Sequence, residues 1–203
     1  MEQTTEHQTP SPEIAPRKTF FQTGLGKFIE NVLYIIGAVI FAAIIQAFLI
    51  RPFIVSGTSM DPVIKNGQYL IIDEVTYHIH TPERGDVIVF KAPPEPSKYY
   101  IKRVIGLPGD TVKIKDGKVT IVNTAHPDGF TLNEPYLTHL SNDNGTFVVT
   151  QNNYFVMGDN RTGSYDSRSW GMLPIENIRG RAVLRLLPVN TVSVLPGKET
   201  YEY

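Results

Sequence analysis

The sequence contains no cysteine and a single tryptophan. Without cysteine there is no disulfide, no thiolate zinc site and no thiol nucleophile. The five histidines, His7, His78, His80, His126 and His139, form no HExxH, and neither a GxGxxG nor a P-loop is present. His78 and His80 stand two apart, as a metal pair on one strand would, but no ligand-rich motif follows. A solvated strand end is the plainer reading, and neither metal nor cofactor is expected. Charge of one sign is also missing. Charged residues are 19% of the chain, the formal net charge is −1, and the ten lysines and nine arginines are spread along it. Nothing there attracts nucleic acid.

What is present begins with one long apolar run. From Val32 to Ile50, "VLYIIGAVIFAAIIQAFLI", only Gln46 is clearly polar. As a helix this run is about 28 Å long, close to the thickness of a hydrocarbon core. A cleaved signal would have a shorter apolar region with a small-x-small site beyond it, whereas this run ends in "FLIRPF". Residues 28–50 are therefore expected to span a membrane. Arg17, Lys18 and Lys27 precede the run and only Arg51 follows closely, which predicts a cytoplasmic N-terminus and export of residues 51–203. Residues 1–27 open with the polar, Pro-containing "MEQTTEHQTPSPEIAP" and read as a disordered cytoplasmic tail. The protein is thus expected to be single-pass in the cell membrane, in contact with the lipid bilayer.

The exported part is expected to be mostly β and antiparallel. Candidate strands are Tyr69–Asp73, Asp86–Lys91, Tyr99–Ile105, Thr111–Lys115, Lys118–Val122, Thr146–Val149, Tyr154–Met157 and Gly180–Leu187. "KDGK" at 115–118 predicts a type I′ hairpin and "GLPGD" at 106–110 a second sharp turn. Residues 123–153, rich in Asn, Gly and Pro, read as an extended loop or insertion.

Three stretches concentrate reactive side chains. In "RPFIVSGTSMDP", Ser59 is either a turn residue or a nucleophile. Asp61 stands where a G-x-S-x-G elbow would carry its second glycine, so a Ser-His-Asp enzyme is poorly supported and a Ser-Lys pair is the remaining arrangement. In "YYIKRVIG", Lys102 lies inside an aromatic and β-branched strand, on one face with Tyr100 and Val104. An apolar surround favours the neutral amine that a general base needs; a lysine snorkelling at a strand edge is the alternative. In "YFVMGDNRTGSYDSRSWG", Asp159, Arg161, Asp166 and Arg168 follow an apolar strand. Such polar density fits a surface turn or a rigid loop that supports a site.

Together, "SGTSMDP", "RGDVIVF", "YIKRVIGLPGD" and "GDNRTGSYDSR", in this order behind one apolar span, resemble the bacterial type I signal peptidases, and more closely the short, single-span members. The resemblance implies an antiparallel β-sheet serine protease domain with Ser59 as nucleophile and Lys102 as general base. It implies that Ser164 orients the lysine amine and that Asp159, Arg161, Asp166 and Arg168 form an ion-paired supporting loop, with Arg103 the partner of Asp159. The Ser59 backbone N–H would be one oxyanion donor. Phe53, Val55, Met60, Ile64, Val89, Tyr100 and Ile101 would line apolar pockets for extended signal peptides cut after small-x-small (Ala-x-Ala) sites. Partners would be exported preproteins, near the secretion translocon.

Two positions depart from the family pattern. Gly57 replaces a serine that assists the oxyanion in some members, and Thr162 and Gly163 replace an acidic or amide pair. Independently of family, Ser59 follows Ile50 by nine residues, a reach of about 30 Å at full extension, which predicts a site close to the membrane surface. Two other readings share parts of this pattern: a self-cleaving Ser-Lys regulator of the repressor type, and an inactive, tethered β module that binds extended peptides.

Overall fold

The computed structural model describes residues 24–48 and 50–201, and it divides between Ala43 and Ile44 into two compact units. Helix α1 (Gly24–Phe48) starts inside the segment expected as tail, whose residues 1–23 lie outside the described ones. Leu33, Tyr34 and Ile35, spaced about 100° apart around the axis, are all exposed, as are Val39, Ile40 and Phe41. A helix apolar on every face is long enough, by length and composition, to cross a membrane. It stops before Ile50, which had been expected inside it and instead begins strand β1 (Ile50–Ile54). Pro52 accounts for the change, since the residue before a proline is pushed out of helical geometry.

Among its described residues the second unit has twelve strands in two sheets: β1, β2 (Tyr69–Asp73), β3 (Val87–Ala92), β4 (Glu95–Gly106), β5 (Thr111–Lys115), β6 (Lys118–Val122), β7 (Phe130–Thr131), β8 (Gly145–Val148), β9 (Asn153–Met157), β10 (Leu173–Pro174), β11 (Ile178–Leu187) and β12 (Ser193–Val194). The larger sheet runs β1-β2-β11-β3-β4-β9-β10, with β12 beside β11; the smaller runs β7-β6-β5-β8. Every pairing is antiparallel. Two short helices, α2 (Thr76–Ile79) and α3 (Ser167–Trp170), sit in connections.

Central strand β3 shows why the sheet has two packed faces. Val87 and Val89 enter one core cluster with Leu70, Ile72, Met60 and Ile64, while Ile88 and Phe90 enter another with Val104, Tyr154 and Val156. A strand covered on both sides reads as a continuous apolar run rather than an alternation. A third cluster joins the smaller sheet, through Val112, Ile114, Val119 and Ile121, to Ile105, Phe155 and Met157 of β4 and β9. The β5–β6 turn has positive φ at both Asp116 and Gly117, the type I′ signature expected of "KDGK".

Candidate active site

Ser59 is set by the backbone on either side of it. Beyond β1 the ladder continues through Val55 and Gln68 (2.9 Å) and Gly67 and Val55 (2.8 Å). Gly57 then adopts φ +109, in the region that favours glycine, and its N–H donates to Asn66 Oδ1 at 2.9 Å. A turn follows, closed by Asp61 N–H to the Thr58 carbonyl (3.1 Å) and Ile64 N–H to the Met60 carbonyl (2.9 Å). Met60 and Ile64 drop into the core beneath it, with relative exposures of 1% and 0%. They were expected to line the substrate pocket and do not; they pin the turn from below, leaving Ser59 at the surface of a cleft.

The Ser59 hydroxyl meets Lys102, which comes from the middle of β4. Nζ and Oγ are 2.6 Å apart, and the same amine donates to the Ile101 carbonyl at 3.0 Å. Lys102 is 3% exposed and its amine lies 5.4 Å from the Tyr100 ring centre. Burial pushes its pKa down to about 8, because an ammonium loses hydration there. Asp166 and Asp159 oppose this shift and Arg168 adds to it. The hydrogen bond implied between Ser164 and this amine is not made. Ser164 Oγ is buried and has no partner among the described residues.

The loop after β9 holds both residues. Asn160 donates its backbone N–H to the Ser59 carbonyl (3.0 Å) and its side-chain amide to the Thr58 carbonyl (3.2 Å). The approach is so close that a Cβ placed on Gly158 would stand 2.2 Å from Ser164 Oγ and 2.4 Å from the Ser59 carbonyl oxygen. Asp166 caps α3 and accepts from Gly158 N–H (2.9 Å) and from Arg168 Nε and Nη2 (2.8 and 2.7 Å). Arg103, next to Lys102 but on the opposite side of β4, forms a two-pronged pair with Asp159 (2.8 and 2.7 Å), both side chains being almost fully buried. Burial alone would weaken the Arg103 cation, but hydrogen bonds to Asp159 and its charge push the pKa up.

Segment 123–153 completes this support, a use that its composition did not reveal. Arg161 forks onto Glu134, Arg168 reaches Asp143, and Arg103 stacks 4.1 Å from the centre of the Tyr136 ring. The signal was a surplus of buried guanidinium: a loop with two arginines beside an apolar strand needs more acceptors than its own two aspartates offer.

A cleft of about 320 Å³ opens at the pair. Of the expected pocket residues it is lined by Phe53, Val55, Val89, Tyr100 and Ile101. Leu70, Tyr99 and Tyr165 join them, unforeseen. Phe53 and Tyr99 meet edge to face at 5.5 Å and form an aromatic wall.

Comparison with known proteins agrees with this layout. A family profile described as "Signal peptidase, peptidase S26" matches residues 28–187. The signal peptidase I of Bacillus licheniformis is 37% identical over 175 residues, covering 80% of this chain and 90% of its own. That of Leptolyngbya laminosa is 34% identical over 206 residues, covering 97% and 98%. The probable signal peptidase I-1 of Synechocystis sp. is 37% identical over 169 residues, covering 79% and 83%. With a mostly antiparallel β fold and this coverage, the chain belongs to the S26 family of signal peptidases.

Proposed function

We propose that this signal peptidase cuts through a Ser59 acyl-enzyme with Lys102 as general base. The observation that carries the reading is the 2.6 Å contact between a cleft-facing serine and a lysine that is 3% exposed. Near neutral pH a usable fraction of the Lys102 amine is uncharged, because its pKa lies at about 8. Its lone pair takes the Ser59 proton as Oγ bonds to the scissile carbonyl carbon. The resulting ammonium returns that proton to the departing amine, and the peptide bond breaks. A water then loses a proton to Lys102 and attacks the ester, and Ser59 leaves with the proton.

The Ser59 backbone N–H donates to no protein group among the described residues, so it is free to hold the developing oxyanion. Gly57 offers no second donor, since it has no side chain and its N–H is engaged by Asn66. Ser164, whose Oγ is unpartnered among the described residues and buried beside Gly158 next to the Ser59 carbonyl, supports the pair through the loop. Asp159, Arg161, Asp166, Arg168 and Arg103 hold the loop and the β4 strand in register.

The substrate lies extended in the cleft, its backbone against the strand edges and its small side chains on Phe53, Val55, Leu70, Val89 and Ile101. On this reading the cut falls after small-x-small, Ala-x-Ala sites. The α1 helix tethers the site to the bilayer with the N-terminus cytoplasmic, near the translocon that delivers preproteins, and raises their effective concentration. The test is reaction of the full chain in detergent with a serine-acylating penem. The expected result is one adduct, on the peptide containing Ser59. An adduct elsewhere, or none, would overturn the reading.

A further inference from the structure

The chain's last described segment, Gly197–Tyr201, lies against the support of the pair from outside. Glu199 N–H donates to the Gly85 carbonyl at 3.2 Å, and the approach is close enough that a Cβ on Gly85 would stand 2.0 Å from the Glu199 carbonyl oxygen. The Gly197 carbonyl accepts from Arg103 Nη1, which also donates to the Gly85 carbonyl at 3.1 Å. Tyr201 Oη is 2.7 Å from Tyr136 Oη, whose hydroxyl is also 2.7 Å from Glu134, and the Tyr136 ring covers the Arg103 guanidinium. Lys198 anchors the segment on Glu83 (2.7 Å) and Asp86 (3.3 Å). Burial first, and the Glu134 charge with it, push both phenols up, so they remain neutral donors.

Apart from the Lys198 anchor, these contacts converge on Arg103, and Arg103 has two ties to the chemistry. It is the backbone neighbour of Lys102, and it grips Asp159, the residue before Asn160, whose N–H holds Ser59. We propose that Gly197–Tyr201 is a positioning strap for the reaction, with Tyr201 its key residue, fixing Arg103 so that the Lys102 strand and the Ser59-holding loop keep one spacing. Tyr201 touches neither substrate nor the reacting atoms and acts through Tyr136 and Arg103. Because Arg103 lies on the opposite side of β4 from Lys102, the strap acts on the amine through the strand and the loop, and loosening them would admit water to the Lys102 side and favour the ammonium. The charges that bear on that amine are Asp166, Asp159 and Arg168, and of these Asp159 is the one the strap reaches, through Arg103.

This inference rests on the Ser59–Lys102 reading, and the experiment separates the two. Full-length wild type, Tyr201→Phe and Tyr201→Ala are compared for preprotein cleavage across pH, with rates expressed per folded enzyme. Expected is a graded fall in kcat, about tenfold for the alanine variant, with KM within about twofold. The alkaline rise of kcat/KM should also move to higher pH, more in the alanine than in the phenylalanine variant. A lowered Tm with unchanged kcat per folded enzyme and an unmoved pH midpoint would reduce the strap to a structural element and overturn the proposal. Absence of cleavage by the wild type would instead overturn the underlying functional reading, and this inference with it.

Discussion

Asn160 holds Ser59 by the main chain: its N–H donates to the Ser59 carbonyl at 3.0 Å, while the serine side chain is left to Lys102. The loop after β9 therefore sets where the hydroxyl stands without competing for it. Gly158 permits the approach, because any side chain there would meet Ser59 and Ser164 together.

Gly158→Ala should accordingly displace Ser59 while leaving every reactive group present. A shift of about 1 Å at a reacting centre costs about a hundredfold in rate, and that loss is expected in kcat. Overpacking should also destabilise the fold by about 1–3 kcal/mol. Steady-state cleavage kinetics with thermal melting checks both; activity within about threefold of wild type would contradict the close-approach account.

The pH profile follows from Lys102. As the proposed general base, the amine must be neutral to accept a proton, and its pKa is lowered to about 8 by burial. The rate constant kcat/KM should rise with pH, about tenfold per unit below pH 8, and level off above it. A midpoint near the ordinary lysine value would show a solvated amine and exclude the burial that the mechanism requires.

Lys102→Met tests the same burial through stability. The folded-state pKa lies below the unfolded one, so the ammonium is disfavoured in the fold. Below pH 8 both states carry the proton and the native state bears a cost of about 3 kcal/mol. Between about pH 8 and 10.5 the unfolded state holds the proton alone, and wild-type stability from this group rises with pH. The methionine variant should be inactive yet more stable than wild type at pH 7, by up to about 3 kcal/mol, with the gap closing as pH rises. Chemical unfolding at several pH values measures it, and a methionine variant less stable at every pH would contradict it.

Much of this arrangement was legible in the sequence. The eight expected strands all exist, because apolar runs between Gly, Pro, Asn and Asp punctuation mark strands well. The unforeseen strands β1, β7, β10 and β12 are short or irregular, and β1 contains Pro52, which argues against a ladder. Lys102 stood out by sitting in an apolar strand. The Arg103–Asp159 pair was anticipated from the resemblance alone. Met60 and Ile64 were misplaced because nearness to Ser59 in sequence does not say which way a turn aims its side chains. Glu134, Tyr136, Asp143 and Tyr201 escaped notice because their partners are distant in the chain, and only the fold brings them together.

Arg103 probes that long-range support. Arg103→Ala leaves the Asp159 carboxylate buried without its cation and the Gly197 carbonyl without its donor, while the Gly85 carbonyl keeps only the Glu199 N–H. Removing one member of such a pair typically costs about 3–5 kcal/mol, and a loss of that size is expected in denaturant unfolding. A change under about 1 kcal/mol would show that the pair is dispensable to the fold.

The central claim, that Ser59 and Lys102 act together, is tested most directly by preprotein cleavage with Ser59→Ala and Lys102→Arg in the full-length chain. Arginine keeps the positive charge of Lys102 but cannot give up its proton, so it separates a base from an electrostatic role. Both variants should lose at least about a thousandfold in kcat/KM. Retention of activity within about tenfold of wild type by either variant would contradict the account.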